Sequence, residues 1–187
     1  MDQINNKLDD NITITKDILN LLDNKKTNVV IDEDIKNSYY VFFKDIIYLS
    51  NNNNTYKRVC LIAHECIHSI QNKILQKVNF ILSNIELIFF VFLFIFLLFS
   101  SNNNLPIVIA YVTINILSMV VRFILEAHAT IGSVNLSKRY LSTKLETNDL
   151  DLVIKDYRNK IIMLFPVFLI NLFLFKILRI VLILFMK

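Results

Sequence analysis

The chain has 187 residues, a formal charge of +4 and 55% hydrophobic residues. The length suits one domain rather than several. The apolar excess argues for a membrane protein, and the absence of a basic block interleaved with aromatics argues against nucleic acid as a partner.

Residues 1–78 are mixed in polarity, with ten acidic and ten basic side chains, and read as a small water-facing region. The first residues lack a basic-then-apolar pattern, so no signal peptide is expected. Helical periodicity runs over Thr15 to Leu22, where Ile18, Leu19, Leu21 and Leu22 cluster. Asn28 to Asp32 and Tyr40 to Ser50 are rich in β-branched and aromatic residues and predict short strands. The Asn51 to Asn54 run predicts a loop, with Thr55 capping a helix that starts at Tyr56. Cys60 and Cys66 sit six apart on that helix and point to different sides, so free thiols and a reducing compartment are expected.

The solvent then changes. Asn79 to Ser100 is long enough to span a bilayer, and Leu87 to Phe99 has no polar residue. Ser101 to Asn104 predicts a tight turn ended by Pro106, and Leu105 to about Leu125 a second span. Residues 126–160 are polar again. The last stretch, 161–187, opens with fifteen uncharged residues and then carries Lys176 and Arg179. Those cations predict either snorkelling to an interface or a segment lying in the membrane surface. The hairpin turn has no Lys or Arg, whereas Lys73, Lys77, Arg122, Lys138, Arg139 and Lys144 flank the two spans. The positive-inside rule therefore puts residues 1–78 and 126–160 together on the cytoplasmic side of the cell membrane.

One motif carries chemistry. His64 and His68 are i and i+4 on the expected helix, so both rings leave one face, as two sites of a tetrahedral zinc require. Glu65 stands beside such a metal and suits a general base that takes a proton from a zinc-activated water. A catalytic zinc needs a third protein ligand and one open position. No third histidine follows closely. Two crossings of the membrane return the chain to the level of His68 at Glu126 and His128, which makes either the natural candidate, with Glu86 a weaker one. Cys66, two residues from His64, faces elsewhere and reads as a buried structural thiol. Lys138, Arg139 and Tyr140 follow closely enough to be considered for stabilising an oxyanion. Gly132, the only glycine, predicts close helix packing. The Tyr40 to Ser50 region suits an edge strand able to hold an extended peptide through its main chain.

Asp45-Ile46-Ile47-Tyr48-Leu49-Ser50, then Ala63-His64-Glu65-Cys66-Ile67-His68-Ser69-Ile70-Gln71, then Glu126-x-x-Ala129-Thr130 resemble the YugP-like family of small membrane-bound neutral zinc metallopeptidases. The resemblance spans roughly Thr15 to the end of the chain. It implies a zincin-like site with His64, His68 and Glu126 as zinc ligands, Glu65 as general base, and Thr130 as a hydroxyl behind a ligand histidine. Ile67 stands where that family commonly has glycine, and His128 where it has Asp.

The expected architecture is therefore a mainly α integral membrane protein in one integrated unit. Residues 1–78 form a small zincin-like α+β cytoplasmic region, with a short β-hairpin or sheet and the helix that carries the histidines. Residues 79–125 form a transmembrane helical hairpin, 126–160 a cytoplasmic helical segment with the third ligand, and 161–187 an apolar C-terminal membrane helix. The expected function is hydrolysis of a peptide or membrane-protein substrate at the bilayer surface. The alternative is a non-catalytic membrane module that keeps zinc as a structural clip, its fourth position filled by His128.

Overall fold

A computed structural model describes residues 2–51, 55–99 and 104–186. Most of the expected loop at 51–54 and most of the expected turn at 101–104 lie outside the described residues. The elements are α1 (Asp2–Asn5), α2 (Asn11–Leu21), β1 (Asn28–Asp32), β2 (Tyr39–Val41), β3 (Ile46–Ser50), α3 (Arg58–Ile70), α4 (Lys73–Phe99), α5 (Leu105–Leu141) and α6 (Thr147–Phe185). The chain divides into two compact units, one of residues 1–73 and 126–163, the other of 74–125 and 164–187.

In the first unit, α2 starts earlier than its apolar periodicity suggested. Asp10 caps it, accepting a hydrogen bond from the Thr13 backbone N–H at 3.0 Å, which satisfies one of the otherwise orphaned first-turn donors. The Tyr40 to Ser50 segment is two strands rather than one. A turn at residues 42–45, with Asp45 at φ 51°, folds β2 back antiparallel on β3; Asp accepts that left-handed conformation more readily than most side chains. The sheet order is β1-β3-β2, with β1 parallel to β3. Central β3 buries Ile47 and Leu49 completely, and β2 is left as an edge.

Helix α3 begins at Arg58, two residues after the sequence expectation. Its N-cap position is Lys57, which makes no side-chain capping bond; Thr55 contributes only its carbonyl, which accepts from the Arg58 N–H at 3.1 Å. The helix buries Val59, Ile62, Ala63, Cys66 and Ile67, an i, i+3, i+4 stripe that faces one core. Ile14, Ile18, Ile47, Leu49, Tyr140, Val153 and Tyr157 fill the same core. Cys66 is fully buried within it, as its position on the helix predicted.

Gly132 on α5 lies beneath Ile67: a Cβ there would stand 2.7 Å from Ile67 Cδ1. The bulk of Ile67 and the absence of a side chain at 132 thus fit each other. Gly132→Ala is expected to destabilise the wild-type protein by about 1 kcal/mol through this overlap. In an Ile67→Ala background the same change should be neutral or stabilising, because alanine is the better helix former by about 1 kcal/mol. A double-mutant cycle by chemical denaturation measures the coupling, and equal effects in both backgrounds would remove it.

Among the described residues, three helices are long and apolar enough to cross a membrane: α4, α5 and α6. The expected boundaries at 125/126 and 160/161 are changes of polarity and not breaks in the chain, since α5 runs unbroken to Leu141 and α6 from Thr147 to Phe185. An α-helix satisfies its backbone internally and so passes from an aqueous to an apolar surrounding without interruption. Pro106 sits in the first turn of α5, where its missing N–H costs nothing.

Within the second unit, Leu93, Leu97, Val108, Tyr111 and Ile183 form a buried apolar cluster, with Ile180 and Met186 packed against it. Glu86 of α4 is 1% exposed and accepts from Lys176 Nζ at 3.0 Å and Arg179 Nη1 at 3.0 and 3.2 Å. Lys176 and Arg179 thus have a partner that their spacing in the sequence did not suggest. Both turn toward a carboxylate on a neighbouring helix.

Candidate metal centre

The helical register of α3 places His64 and His68 one turn apart on one face. Their Nε2 atoms lie 3.0 Å apart. Glu126, 58 residues after His68, brings Oε2 to 3.5 Å from His64 Nε2 and 3.7 Å from His68 Nε2. Among the described residues these three form a group able to hold a metal ion, each offering one ligand atom within 4.8 Å of the others. A tetrahedral site with metal–nitrogen bonds of about 2.0–2.1 Å has edges of about 3.3 Å. The three observed separations straddle that value. Two imidazoles and one carboxylate are also the donor set of a catalytic zinc site with one position left open.

Gln71 supports this group. It ends α3, its extended backbone (φ −61°, ψ 158°) breaking the helix while its N–H bonds back to Ile67 and His68. Its side chain is buried, with Oε1 2.8 Å from His68 Nδ1 and Nε2 3.2 Å from His128 Nδ1. The amide oxygen can only accept, so His68 must carry its proton on Nδ1, which leaves the Nε2 lone pair facing Glu126 and His64. The amide nitrogen donates to His128, which stands exposed behind Gln71 rather than in the three-ligand group. Sequence reasoning passed over Gln71. The available signal was a polar side chain three residues after the second histidine, on the same helical face. Gln71→Ala is expected to weaken metal binding by about 10–100-fold while leaving the three ligands in place; competition with a chelating dye measures it, and unchanged affinity would remove Gln71 from the site.

Glu65 points to the sheet. Its Oε2 accepts the Tyr40 backbone N–H at 2.8 Å. That donor lies on the side of β2 turned away from β3, so the edge strand holds the carboxylate in place. Burial pushes the Glu65 carboxyl above the usual carboxylate range, against the opposing pull of His64, His68 and the Tyr40 N–H. Burial disfavours a charged His68, but the hydrogen bond to Glu126, with the Glu65 charge and Gln71 behind it, outweighs that and raises its pKa. The Tyr40 phenol donates to Asp45 Oδ1 at 2.7 Å and receives a hydrogen bond from Lys73, whose ammonium also bonds the Ser69 carbonyl at 2.9 Å. This cluster ties β2 to the end of α3, and it too escaped the sequence reading because its members are distant in the chain.

The remaining candidates are placed elsewhere. The Thr130 carbonyl accepts from the Ser133 hydroxyl at 2.7 Å, while His68 is oriented by Gln71. Tyr140 lies fourteen residues beyond Glu126 on the same helix, about 21 Å along its axis. Its hydroxyl donates to Asp9 at 3.1 Å and the side chain is buried in the core, so it stabilises the fold and not an oxyanion. Arg139 bonds the Leu21 carbonyl. Glu86, the weaker candidate for third ligand, is occupied by Lys176 and Arg179.

Fold and site together define, among the described residues, three helices able to cross a membrane by length and composition and a small α+β unit that gathers two histidines and a glutamate. Compared with known proteins, the chain matches no family model, no curated protein and no solved structure.

Proposed function

We propose that this is a membrane-bound zinc peptidase, with His64, His68 and Glu126 as ligands and Glu65 as general base. The observation that carries the reading is the meeting of Glu126 with the His64/His68 pair at 3.5 and 3.7 Å, next to the half-buried Glu65. Zinc held there would supply a Lewis acid that acidifies water and polarises a carbonyl. Glu65 takes the proton from that water and returns it to the leaving amine, its rotamer held by the Tyr40 N–H. Gln71 fixes the tautomer in which His68 can ligate. Edge strand β2 lies beside Glu65, whose carboxylate its Tyr40 N–H holds, and a sheet edge at that place suits an extended peptide or an unfolded segment of a membrane protein.

The resemblance to the YugP-like family belongs to the same proposal, as do a zincin-like arrangement of α3 and the sheet, insertion of α4, α5 and α6 in the cell membrane, and a cytoplasmic site. The structural-clip alternative needs His128 as fourth ligand. Against it stands the Gln71–His128 contact of 3.2 Å, which turns that ring to a different partner. The test is the metal content of detergent-purified protein: one zinc per chain is expected, and a chain that stays zinc-free after metal is supplied overturns the reading.

A further inference from the structure

Glu86 sits thirteen residues from either end of α4, about 20 Å from each along the axis. Within the expected span, which opens at Asn79, Glu86 lies seven residues in, about 10 Å along the axis, deeper than its short side chain reaches back, and it is 1% exposed. Its two oxygens accept from Lys176 and Arg179 of α6, and Oε1 also accepts from the Tyr111 hydroxyl and the Asn115 amide of α5, both at 3.1 Å. Lys176 gives a further hydrogen bond to Ser118 at 2.9 Å, and the Arg179 guanidinium lies over the Phe90 ring. Five hydrogen bonds thus converge on one carboxylate.

The length of α6 makes the carboxylate matter. The uncharged stretch 161–175 covers only about 22 Å, short of the hydrocarbon thickness. Crossing fully therefore carries Lys176 and Arg179 into the apolar layer, where charged side chains are expensive unless paired. Lys176 is buried, and beyond it Ile180, Ile183 and Met186 pack against Leu93, Leu97 and Val108 near the α4–α5 connection.

We propose that Glu86 is an intramembrane counter-ion whose pairing with Lys176 and Arg179 keeps the C-terminal third of α6 inserted, so that Glu86 sets which side of the membrane Met186 reaches. The inference rests on the membrane part of the functional reading and is independent of its zinc chemistry. Without Glu86, two unpaired cations on a short uncharged stretch favour withdrawal of the α6 end to the side from which that helix enters.

The experiment places single cysteines at Met186 and, as reference, at Leu105, with Cys60 and Cys66 replaced by alanine. Alkaline carbonate extraction first establishes integration in the membrane, and a chain released by it would defeat the membrane reading itself. For integrated protein, an impermeant maleimide applied to sealed membranes should label both positions from one and the same side. Glu86→Leu should cut Met186→Cys labelling from that side about tenfold or more while Leu105→Cys is unaffected. Adding Lys176→Leu and Arg179→Leu to Glu86→Leu should restore it, since no charge is then left to pair. Labelling of Met186→Cys unchanged by Glu86→Leu, or from the side opposite Leu105→Cys in the otherwise native chain, overturns the proposal. So does failure of the triple leucine variant to restore labelling, which would make Glu86 a packing element and not a counter-ion.

Discussion

Purified protein carrying Glu126→Ala is expected to lose its zinc, with affinity down by at least about a hundredfold, beyond what the removal of an outer-shell partner costs. Two histidines on one helical turn remain, but a site of two protein ligands lacks the third arm that closes a catalytic zinc tripod. His128→Ala should keep close to one zinc per chain, because the His128 ring contacts Gln71 and stands apart from the ligand group. The two variants lie two residues apart on α5, so a general disturbance of the helix would affect both. Zinc per chain by atomic emission and affinity by dye competition give the ranking directly. Loss of metal in His128→Ala with retention in Glu126→Ala would reverse the ligand assignment.

Glu65→Gln is expected to separate binding from chemistry. The glutamine carbonyl still accepts the Tyr40 N–H, the volume is unchanged and the three ligands are untouched, so zinc stays at one per chain. Hydrolysis of a quenched-fluorescence peptide mixture should fall by about 10²–10⁴-fold, the usual contribution of a positioned general base. The amide cannot take a proton from water, whatever the pH. Hydrolysis undiminished in this variant would sink the general-base role even if the metal assignment stood.

The two variants test residues that were legible to different degrees. His64, Glu65 and His68 could be read from the chain because their relation is local: a spacing of four on a helix fixes two side chains on one face before any tertiary contact forms. The three long apolar stretches were legible for a similar reason, since composition and length alone decide whether a helix suits a bilayer. Gly132 was legible as a packing position, though the partner was not.

What spacing could not decide was which distant groups meet. Glu126 and His128 were equal candidates by position in the chain; the rotation of α5 about its axis brings Glu126 to the histidines and leaves His128 to Gln71. The same holds for Glu86, whose carboxylate looked like a spare ligand until α6 supplied two cations for it. Tyr140 failed for a geometric reason: along one straight helix, closeness in sequence becomes a distance that grows by about 1.5 Å per residue. The turn at Asp45 was hidden in a segment whose β-branched and aromatic residues favour strand throughout, and hydrogen bonding of β2 to β3 decided it. The sequence by itself thus determined the long helices, the two histidines and the glutamate beside them. Only the tertiary structure chose their partners, because helix rotation and strand pairing are set by burial of whole faces, to which no single local spacing has access.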